Sequence, residues 1–260
     1  MRMSASYDQA RASRRFFTNA NKSDVWVNTY IGTNLAQRHA AGHTDPSWEP
    51  DDPATYPMAF LVEQVANATT PPHFHRADQF QVFVAGRGEF GGEPVGPVTV
   101  HFAAAYSPYG PIVAGPEGIN YFTLRNSWDS GPRWMPENRG ELRQSGRRYR
   151  GAVAPSWAAA SAADLTLLTE TARATLIEPE ADGLGAWAFR LPPATKLEGP
   201  DPADGAGQYW LALSGSCVAE GTRLAPLSCL FLSKDEPPLS IETESEGVEL
   251  IAMQYPRRST

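Results

Sequence analysis

The fold of this 260-residue chain is decided by one stretch, Pro71-Pro72-His73-Phe74-His75-Arg76-Ala77-Asp78-Gln79-Phe80-Gln81-Val82-Phe83-Val84-Ala85-Gly86. After two prolines, two histidines stand two residues apart, and polar and apolar residues then alternate up to a glycine. This alternation predicts a β-strand, in which His73 and His75 point to the same face, about 6 to 7 Å apart. Because neutral imidazole is the commonest metal ligand in proteins, the pair predicts a metal site.

The spacing of His73, His75, Gln79 and Gly86 resembles the first motif of the cupin superfamily, which reads H-x-H, three residues, an acid or amide, six residues, glycine. The resemblance implies a double-stranded β-helix, a small jelly-roll barrel with a pocket in its mouth. Two positions depart from the family pattern. Asn67 stands where the family usually has a glycine, and Gln79 stands where it usually has a glutamate ligand.

The second cupin motif is present only in part. Pro108 and Gly110 match it, whereas the family's glycine, asparagine and fourth metal ligand are replaced by Phe102, Glu117 and Val113. Two imidazoles, one amide and a valine include no anionic ligand. We therefore expect such a set to hold a divalent ion more weakly than three histidines and a carboxylate would.

His101 is a further candidate ligand, because it lies in a β-branched run just before the second motif and could enter the barrel from the next strand. Its parity is opposite to that of Val98, Val100 and Phe102. If those three fill the barrel wall, His101 faces the other way. The sequence leaves both orientations open.

The second half of the chain repeats the first. Gln208 to Gly215 has the same seven-residue step from glutamine to glycine as Gln79 to Gly86, but Pro202 and Asp204 stand where the first half has its two histidines. The resemblance therefore implies a two-cupin chain, or bicupin. Its predicted fold class is all-β, with two double-stranded β-helix (cupin jelly-roll) barrels in tandem, the second of which lacks metal ligands.

The expected domain boundaries follow from composition. They are an N-terminal arm over residues 1–23, a first barrel over 24–130, an Arg-rich linker over 131–165 and a second barrel over 166–260. We expect the arm to fray and to dock through Phe16 and Phe17. The arginines of the linker are either solvated or form a strap that meets an anionic substrate or partner. The loop histidines His39 and His43 have no further residues to complete a ligand set.

The overall composition excludes several classes. A net charge of −7 with a pI near 5.3 argues against a general nucleic-acid binder. The two cysteines are too few for a disulfide framework and are expected to be buried free thiols. The first residues lack the apolar segment of a signal peptide, and no apolar run is long enough to span a membrane, so we expect a cytoplasmic protein without a membrane partner.

The parity of the quoted strand also predicts a pocket. Gln79, Gln81 and Phe83 should line the inside of the first barrel beside the histidines, and Tyr106 and Tyr109 could reach its mouth. Such a mixture of polar and aromatic side chains is typical of a site for a small molecule.

Three functions are consistent with these features. The first is a metal-dependent, dioxygenase-like oxidoreductase, in which His73 and His75, with Gln79 and His101, hold iron, manganese, nickel or zinc; its catalytic residues are not identified. The alternative is a non-catalytic small-molecule-binding or regulatory bicupin with weak or no metal. The third is a structural role, and a homodimer is compatible with all three because barrel edges often pair.

Overall fold

The computed structural model describes residues 1–18, 23–33, 48–142, 148–153 and 157–257. Contacts divide the chain into two compact units. The first unit comprises residues 10–153, and the second comprises residues 1–9 with residues 154–260. The loop histidines His39 and His43 and the linker arginines Arg143 and Arg147 lie outside the described residues.

The predicted all-β class is confirmed, because antiparallel strands build both units. The earlier strands are β1 (Arg2–Ala5), β2 (Arg15–Thr18), β3 (Asp24–Ile31), β4 (Met58–Gln64), β5 (Thr69–Thr70), β6 (His73–Phe74), β7 (Gln79–Phe90), β8 (Glu93–Val95), β9 (Thr99–Ala103), β10 (Ile112–Arg125), β11 (Arg133–Trp134) and β12 (Tyr149–Val153). The later strands are β13 (Ala172–Ile177), β14 (Gly185–Leu191), β15 (Lys196–Glu198), β16 (Gln208–Gly215), β17 (Cys217–Ala219), β18 (Thr222–Leu224), β19 (Cys229–Leu232), β20 (Ser240–Glu242) and β21 (Val248–Gln254).

The helices are short. They are α1 (Tyr7–Arg11) and α2 (Ala162–Thr166), with single 3-10 turns at Pro53–Thr55, Arg139–Glu141 and Pro202–Asp204. In the part of the chain that the structure describes, no helix has the length and apolar character needed to cross a membrane.

The first unit is organised around one large sheet with the strand order β12-β9-β7-β10-β4-β3-β2. Cross-strand pairs show which side chains share its inner face. Thr123 of β10 lies opposite Gln81 of β7 and opposite Phe60 of β4. Phe80, which precedes Gln81 on β7, turns to the other face, where it is fully buried against Phe102 of β9. Both faces of these central strands are therefore covered, and the alternation read from the sequence separates a polar inner row from an apolar outer one.

The N-terminal segment is ordered by strand pairing and does not fray as expected. Arg2–Ala5 pairs with β19 of the second unit, and Arg15–Thr18 pairs with β3 of the first unit. Docking through aromatic residues is observed, since Phe16 packs on Trp26 with ring centroids 5.0 Å apart. Backbone pairing orders this segment because edge strands present unpaired N–H and C=O groups, a feature that the composition of the segment does not reveal.

The segment expected to be an Arg-rich linker over 131–165 is mostly part of the first unit, which extends to residue 153. Its β11 pairs with β6, and its β12 pairs with β9 at the edge of the large sheet. Arg133 lies 3.4 Å from the carboxylate of Glu141, so part of the positive charge is paired within the segment itself. The helix α2 begins at Ala162, near the end of this segment.

The large sheet of the second unit has the order β1-β19-β16-β21-β14-β13. Its strands β19-β16-β21-β14-β13 follow the same order as β9-β7-β10-β4-β3 of the first unit. The interior differs, because Trp210 is fully buried and its indole N–H donates to Gln208 Oε1 at 3.0 Å. Gln208 in turn donates to Gln254 at 2.6 Å, so this unit satisfies its inner polar groups with its own side chains.

The motif glycine Gly86 gives a test of this architecture. Its φ is +74°, and a Cβ built on it would lie 2.2 Å from the carbonyl oxygen of Gly118. Gly92 has a similar φ of +90° but nothing within 4 Å. We predict that Gly86→Ala destabilises the protein by about 3 kcal/mol or more, and that Gly92→Ala costs only the conformational strain of about 1 kcal/mol. Urea denaturation of both variants measures the difference, and equal losses would contradict the close approach of the two strands.

Candidate functional site

The first unit contains a cavity of about 550 Å³ against the inner face of β3, β4, β7 and β10. Its apolar wall is formed mainly by Val25, Val27, Met58, Phe60, Val62 and Tyr121. Its polar lining comprises His73, His75, Gln79, Gln81, Tyr109, Thr123, Arg125, Asp129 and Arg133. A cavity of this volume, with both apolar and polar side chains in its lining, is typical of sites for small organic molecules.

The two histidines are brought to the cavity by backbone pairing at its polar end. His73 pairs with Trp134 of β11, and it exchanges backbone hydrogen bonds of 3.1 and 2.9 Å with Tyr109. Both imidazoles are buried, with ring centroids 5.2 Å apart. The side-by-side arrangement predicted from the H-x-H spacing is therefore present in the structure.

Each imidazole has a defined tautomer. Nδ1 of His73 lies 2.8 Å from the carbonyl oxygen of Pro71, and Nδ1 of His75 lies 2.7 Å from Oδ1 of Asp129. Carbonyl and carboxylate oxygens only accept, so Nδ1 carries the proton in both rings. Nε2 is consequently the acceptor atom of each ring.

A buried arginine stands in the middle of this polar end. Arg125 donates to Gln79 Oε1 through Nε at 2.9 Å and through Nη2 at 2.6 Å. The same Nη2 lies 3.2 Å from both ring nitrogens of His75, which places it over the face of the imidazole and not in line with the Nε2 lone pair. Of the ligands that the first motif predicts, Arg125 thus occupies Oε1 of Gln79 and lies against the ring of His75.

The charge of Arg125 is balanced by Asp129, in the turn that follows β10. The guanidinium Nη1 lies 3.8 Å from Asp129 Oδ1. The carboxylate also accepts from the backbone N–H of Arg76 at 2.9 Å and of Gly131 at 2.8 Å, in addition to His75. Its side chain is fully buried, so its oxygens are engaged by the protein.

These contacts set the protonation states at neutral pH. Burial is the main reason why the pKa of His73 falls to about 3. Burial also lowers the pKa of His75, and the cation of Arg125 lowers it further. For Asp129, burial alone would raise the pKa, but the charge of Arg125 and the N–H donors around the carboxylate hold that pKa below its usual range. The site therefore contains two neutral imidazoles beside one cation and one anion.

The geometry does not fit a resident divalent ion. Oε1 of Gln79 accepts two hydrogen bonds from Arg125, and the guanidinium lies 3.2 Å from the ring nitrogens of His75, so its positive charge would repel the ion. Among the described residues, no group of three or more His, Cys, Asp or Glu side chains is arranged to hold a metal.

Three residues that the sequence suggested for the site do not line the cavity. His101 shares the inner face of the sheet, since it pairs with Gln81. However, it packs against Phe90 and Tyr109, with ring centroids 4.3 and 5.6 Å away. Phe83 lies deeper in the hydrophobic core, and Tyr106 contacts Phe74. Bulky rings thus separate His101 from the two motif histidines.

Gln79, Gln81 and Tyr109 do line the cavity, as expected. Gln79 uses both ends of its amide, because Nε2 donates to the hydroxyl of Tyr109 at 2.6 Å while Oε1 binds Arg125. The hydroxyl of Tyr109 is held inside the barrel, and burial raises its pKa. It is therefore a neutral hydrogen-bonding group at neutral pH.

Sequence reasoning missed Arg125, Asp129 and Trp134, whereas Arg133 is one of the linker arginines for which a strap at an anionic ligand was considered. A signal for Arg125 exists, since it has the parity of Tyr121 and Thr123 at the end of a clearly alternating strand, which places a charge on the inner face. Asp129, Arg133 and Trp134 lie beyond the end of β10, where no periodicity indicates direction. Only the pairing of β11 with β6 brings Arg133 and Trp134 over the cavity.

Comparisons with known proteins support the fold and little beyond it. No family model matches the chain. No curated protein matches it at the level accepted for a relative. Solved structures do match over nearly the whole chain, so the likeness lies in the arrangement of strands rather than in the residues.

Three of these structures illustrate the likeness. A protein of Nostoc punctiforme described as a candidate dioxygenase aligns with a TM-score of 0.59 at 12% identity, over 100% of this chain and 81% of the other. The nickel(II) complex of the bacterial pirin of Escherichia coli gives 0.56 at 12% identity, over 98% and 100% of the two chains. A mutant oxalate decarboxylase of Bacillus subtilis gives 0.55 at 9% identity, over 99% and 78%. These three are cupin-type proteins. At identities this low a match shows the fold alone, and the fold of this chain is therefore cupin-type.

Protonation of His73 gives a test of the site. The unfolded chain binds a proton on this residue below a pH of about 6.5, whereas the folded chain does so only near pH 3. Stability must therefore fall as the pH drops through this window, by about 2 kcal/mol between pH 7.5 and 5 for one such histidine. On the same acidification, we predict that the free energy of unfolding of His73→Asn falls by about 2 kcal/mol less than that of the wild type.

Urea denaturation at both pH values measures this effect. Gln81→Met changes a neutral residue of the same cavity and should keep the wild-type dependence on pH. An unchanged pH dependence in His73→Asn would mean that this imidazole is not held neutral in the folded protein.

Proposed function

We propose that the first unit binds a small organic anion in its cavity without a metal ion, and that Arg125 takes the place that a metal ion has in the predicted ligand set. The observation that carries the proposal is the position of Arg125, whose guanidinium donates twice to Gln79 Oε1 and lies 3.2 Å from the ring nitrogens of His75. A guanidinium in this position offers a permanent positive charge, because it does not deprotonate in proteins. This is the small-molecule-binding alternative that the sequence left open.

The sign of the charge at the cavity supports an anionic ligand. Asp129 is fully buried and its oxygens accept hydrogen bonds from the protein, whereas the side chain of Arg133 is 22% exposed at the rim. The neutral histidines contribute no charge. The charged residues of the lining are Arg125, Arg133 and Asp129, since Glu141, the partner of Arg133, lies outside it, so the lining is net positive toward a ligand. Arg125 is only 3% exposed, and this burial strengthens a charge-assisted hydrogen bond.

The opposite wall favours an apolar body in the ligand. Val25, Val27 and Val62 cover one side, and Met58 and Phe60 lie on the neighbouring strand. Burying the ring or chain of a ligand against such a wall stabilises the complex by about 25 cal/mol for each Å² of apolar surface removed from water. The geometry thus favours a carboxylate attached to an aromatic or aliphatic group.

We propose further that the chain is a bicupin and that its second unit does not bind a ligand at the equivalent place. The common strand order of the two large sheets supports the tandem repeat. Trp210 and the pair Gln208 and Gln254 fill the interior of the second unit. A homodimer and a cytoplasmic location stay predictions from the sequence.

A metal-dependent, dioxygenase-like activity is the second candidate. One observation favours it: both imidazoles donate from Nδ1, to Pro71 and to Asp129, which is how metal-binding histidines are usually oriented. Nickel(II) and manganese(II) are present in two of the similar structures, the pirin and the oxalate decarboxylase. For this candidate to hold, Arg125 would have to leave Gln79 and His75.

Calorimetric titration with benzoate and its neutral isostere benzamide separates these candidates. We predict that the wild type prefers benzoate, that Arg125→Lys weakens benzoate binding roughly tenfold because a point charge replaces the guanidinium fork, and that Arg125→Met abolishes the preference. Arg139→Met removes the same charge from an exposed site and serves as the matched control. Circular dichroism and thermal unfolding verify that each variant is folded.

The same protein, dialysed against chelator, is then titrated with Ni²⁺ and Mn²⁺. Equal binding of benzoate and benzamide by the wild type would contradict the proposal. Stoichiometric metal binding that depends on His73 and His75 would favour the metal-dependent candidate instead.

A further inference from the structure

We infer that the anion bound by the first unit carries a hydrogen-bond donor, a hydroxyl or amino group, on the side away from its carboxylate, and that Gln81 accepts from this donor. The inference rests on the proposed function, since it describes the ligand of the same cavity. It adds a second recognition point to the one at Arg125 and so narrows the class of ligand.

The first observation is an unsatisfied acceptor. Gln81 lines the cavity and is only 2% exposed, yet its Oε1 is buried without a hydrogen-bond partner in the described part of the chain. Leaving such an atom unpaired costs about 1 to 3 kcal/mol, so native proteins rarely do so without a reason. Rotation of the amide about its broad terminal torsion brings Oε1 to the cavity, where a ligand group that donates would pair it.

The second observation is an unsatisfied donor at the other end. Nε of Arg133 is buried and makes no hydrogen bond, although it lies 3.4 Å from a carboxylate oxygen of Glu141. Arg133 and Gln81 are the two described cavity-lining residues with such a buried, unpaired atom. Nε of Arg133 needs an acceptor, and Oε1 of Gln81 needs a donor. A ligand with a carboxylate at the arginines and a donor at Gln81 supplies both.

The strand geometry sets the distance between the two points. Gln79 and Gln81 are two residues apart on β7, so their side chains leave the same face about 7 Å apart. Arg125 is fixed to Gln79, and therefore the anionic end and Gln81 are separated by about one such step. A benzene ring with the carboxylate and the donor in para positions spans a distance of this size.

The surroundings of Gln81 allow such a ring. Thr123 lies directly opposite Gln81 and lines the cavity, and Phe60 lies on the far side of Thr123. Over the inner face of these strands, the ring of a ligand would meet an aromatic side chain and a small hydroxyl rather than a second charge. The donor end is therefore recognised by neutral groups, which favours a hydroxyl or amino group over a second anion.

The test compares 4-hydroxybenzoate with benzoate on the full chain. We predict that the wild type binds 4-hydroxybenzoate about fivefold more tightly than benzoate, the gain expected for one neutral hydrogen bond, and that Gln81→Met reduces the ratio of the two affinities to about one. Methionine has a similar volume and no comparable acceptor. Because it also removes an unpaired buried oxygen, the ligand-free Gln81→Met protein should be at least as thermally stable as the wild type.

Each outcome distinguishes the two proposals. If neither acid binds, the proposed anion site is wrong. If benzoate binds but the hydroxyl adds nothing, or if the preference survives in Gln81→Met, the role of Gln81 is wrong while the anion site stands. Loss of benzoate binding in a Gln81→Met protein that is folded would also overturn the assignment, because Gln81 would then act at the anionic end.

Discussion

The site depends on one buried interaction, the contact of the Arg125 guanidinium with the amide of Gln79 and the imidazole of His75. A buried cation is costly unless it is paired and its donors find acceptors. Here Gln79 Oε1 accepts two hydrogen bonds, the imidazole of His75 lies 3.2 Å from the guanidinium, and Asp129 supplies the opposite charge. Removing any one partner would leave a charge or a donor without its partner inside the barrel, which is why these side chains have to be considered as a unit.

This interaction also explains why a histidine pair with metal-ligand spacing does not form a fitting metal site. The two rings are presented side by side, with Nδ1 protonated and Nε2 as the acceptor, as a metal site would require. The cation beside them is part of the protein, however, and its charge, together with its two hydrogen bonds to Gln79 Oε1, opposes the binding of an ion. Burial keeps both imidazoles neutral. The positive charge at the polar end of the cavity therefore comes from the arginines, and the binding of an anion there should hardly change near neutral pH.

The two units show how the same strand order gives different interiors. The register places Gln208 where the first unit has Gln79, and it places Gln254 where the first unit has Arg125. Two residues after each glutamine, the first unit has Gln81 and the second has Trp210. An amide pair needs no counterion, and the indole fills the space while donating to Gln208, so the second interior is closed and self-satisfied. In the first unit a cavity and an unpaired acceptor remain.

The sequence by itself determined the all-β class, the strand that carries Gln79 and Gln81, and the convergence of His73 and His75, because alternation and spacing act over a few residues of one strand. It also predicted an internal repeat, which the common strand order of the two large sheets supports. The segments predicted as an arm and a linker, however, include the paired strands β1, β2, β11 and β12. Only the tertiary structure decided what surrounds the histidines. Arg125 and Asp129 follow the motif by some fifty residues, Arg133 and Trp134 reach the cavity through the pairing of β11 with β6, and His101 is separated from the site by Phe90 and Tyr109. The charge of the site, and with it the choice between a metal ion and an organic anion, is set by contacts between distant strands, which local patterns in a sequence do not encode.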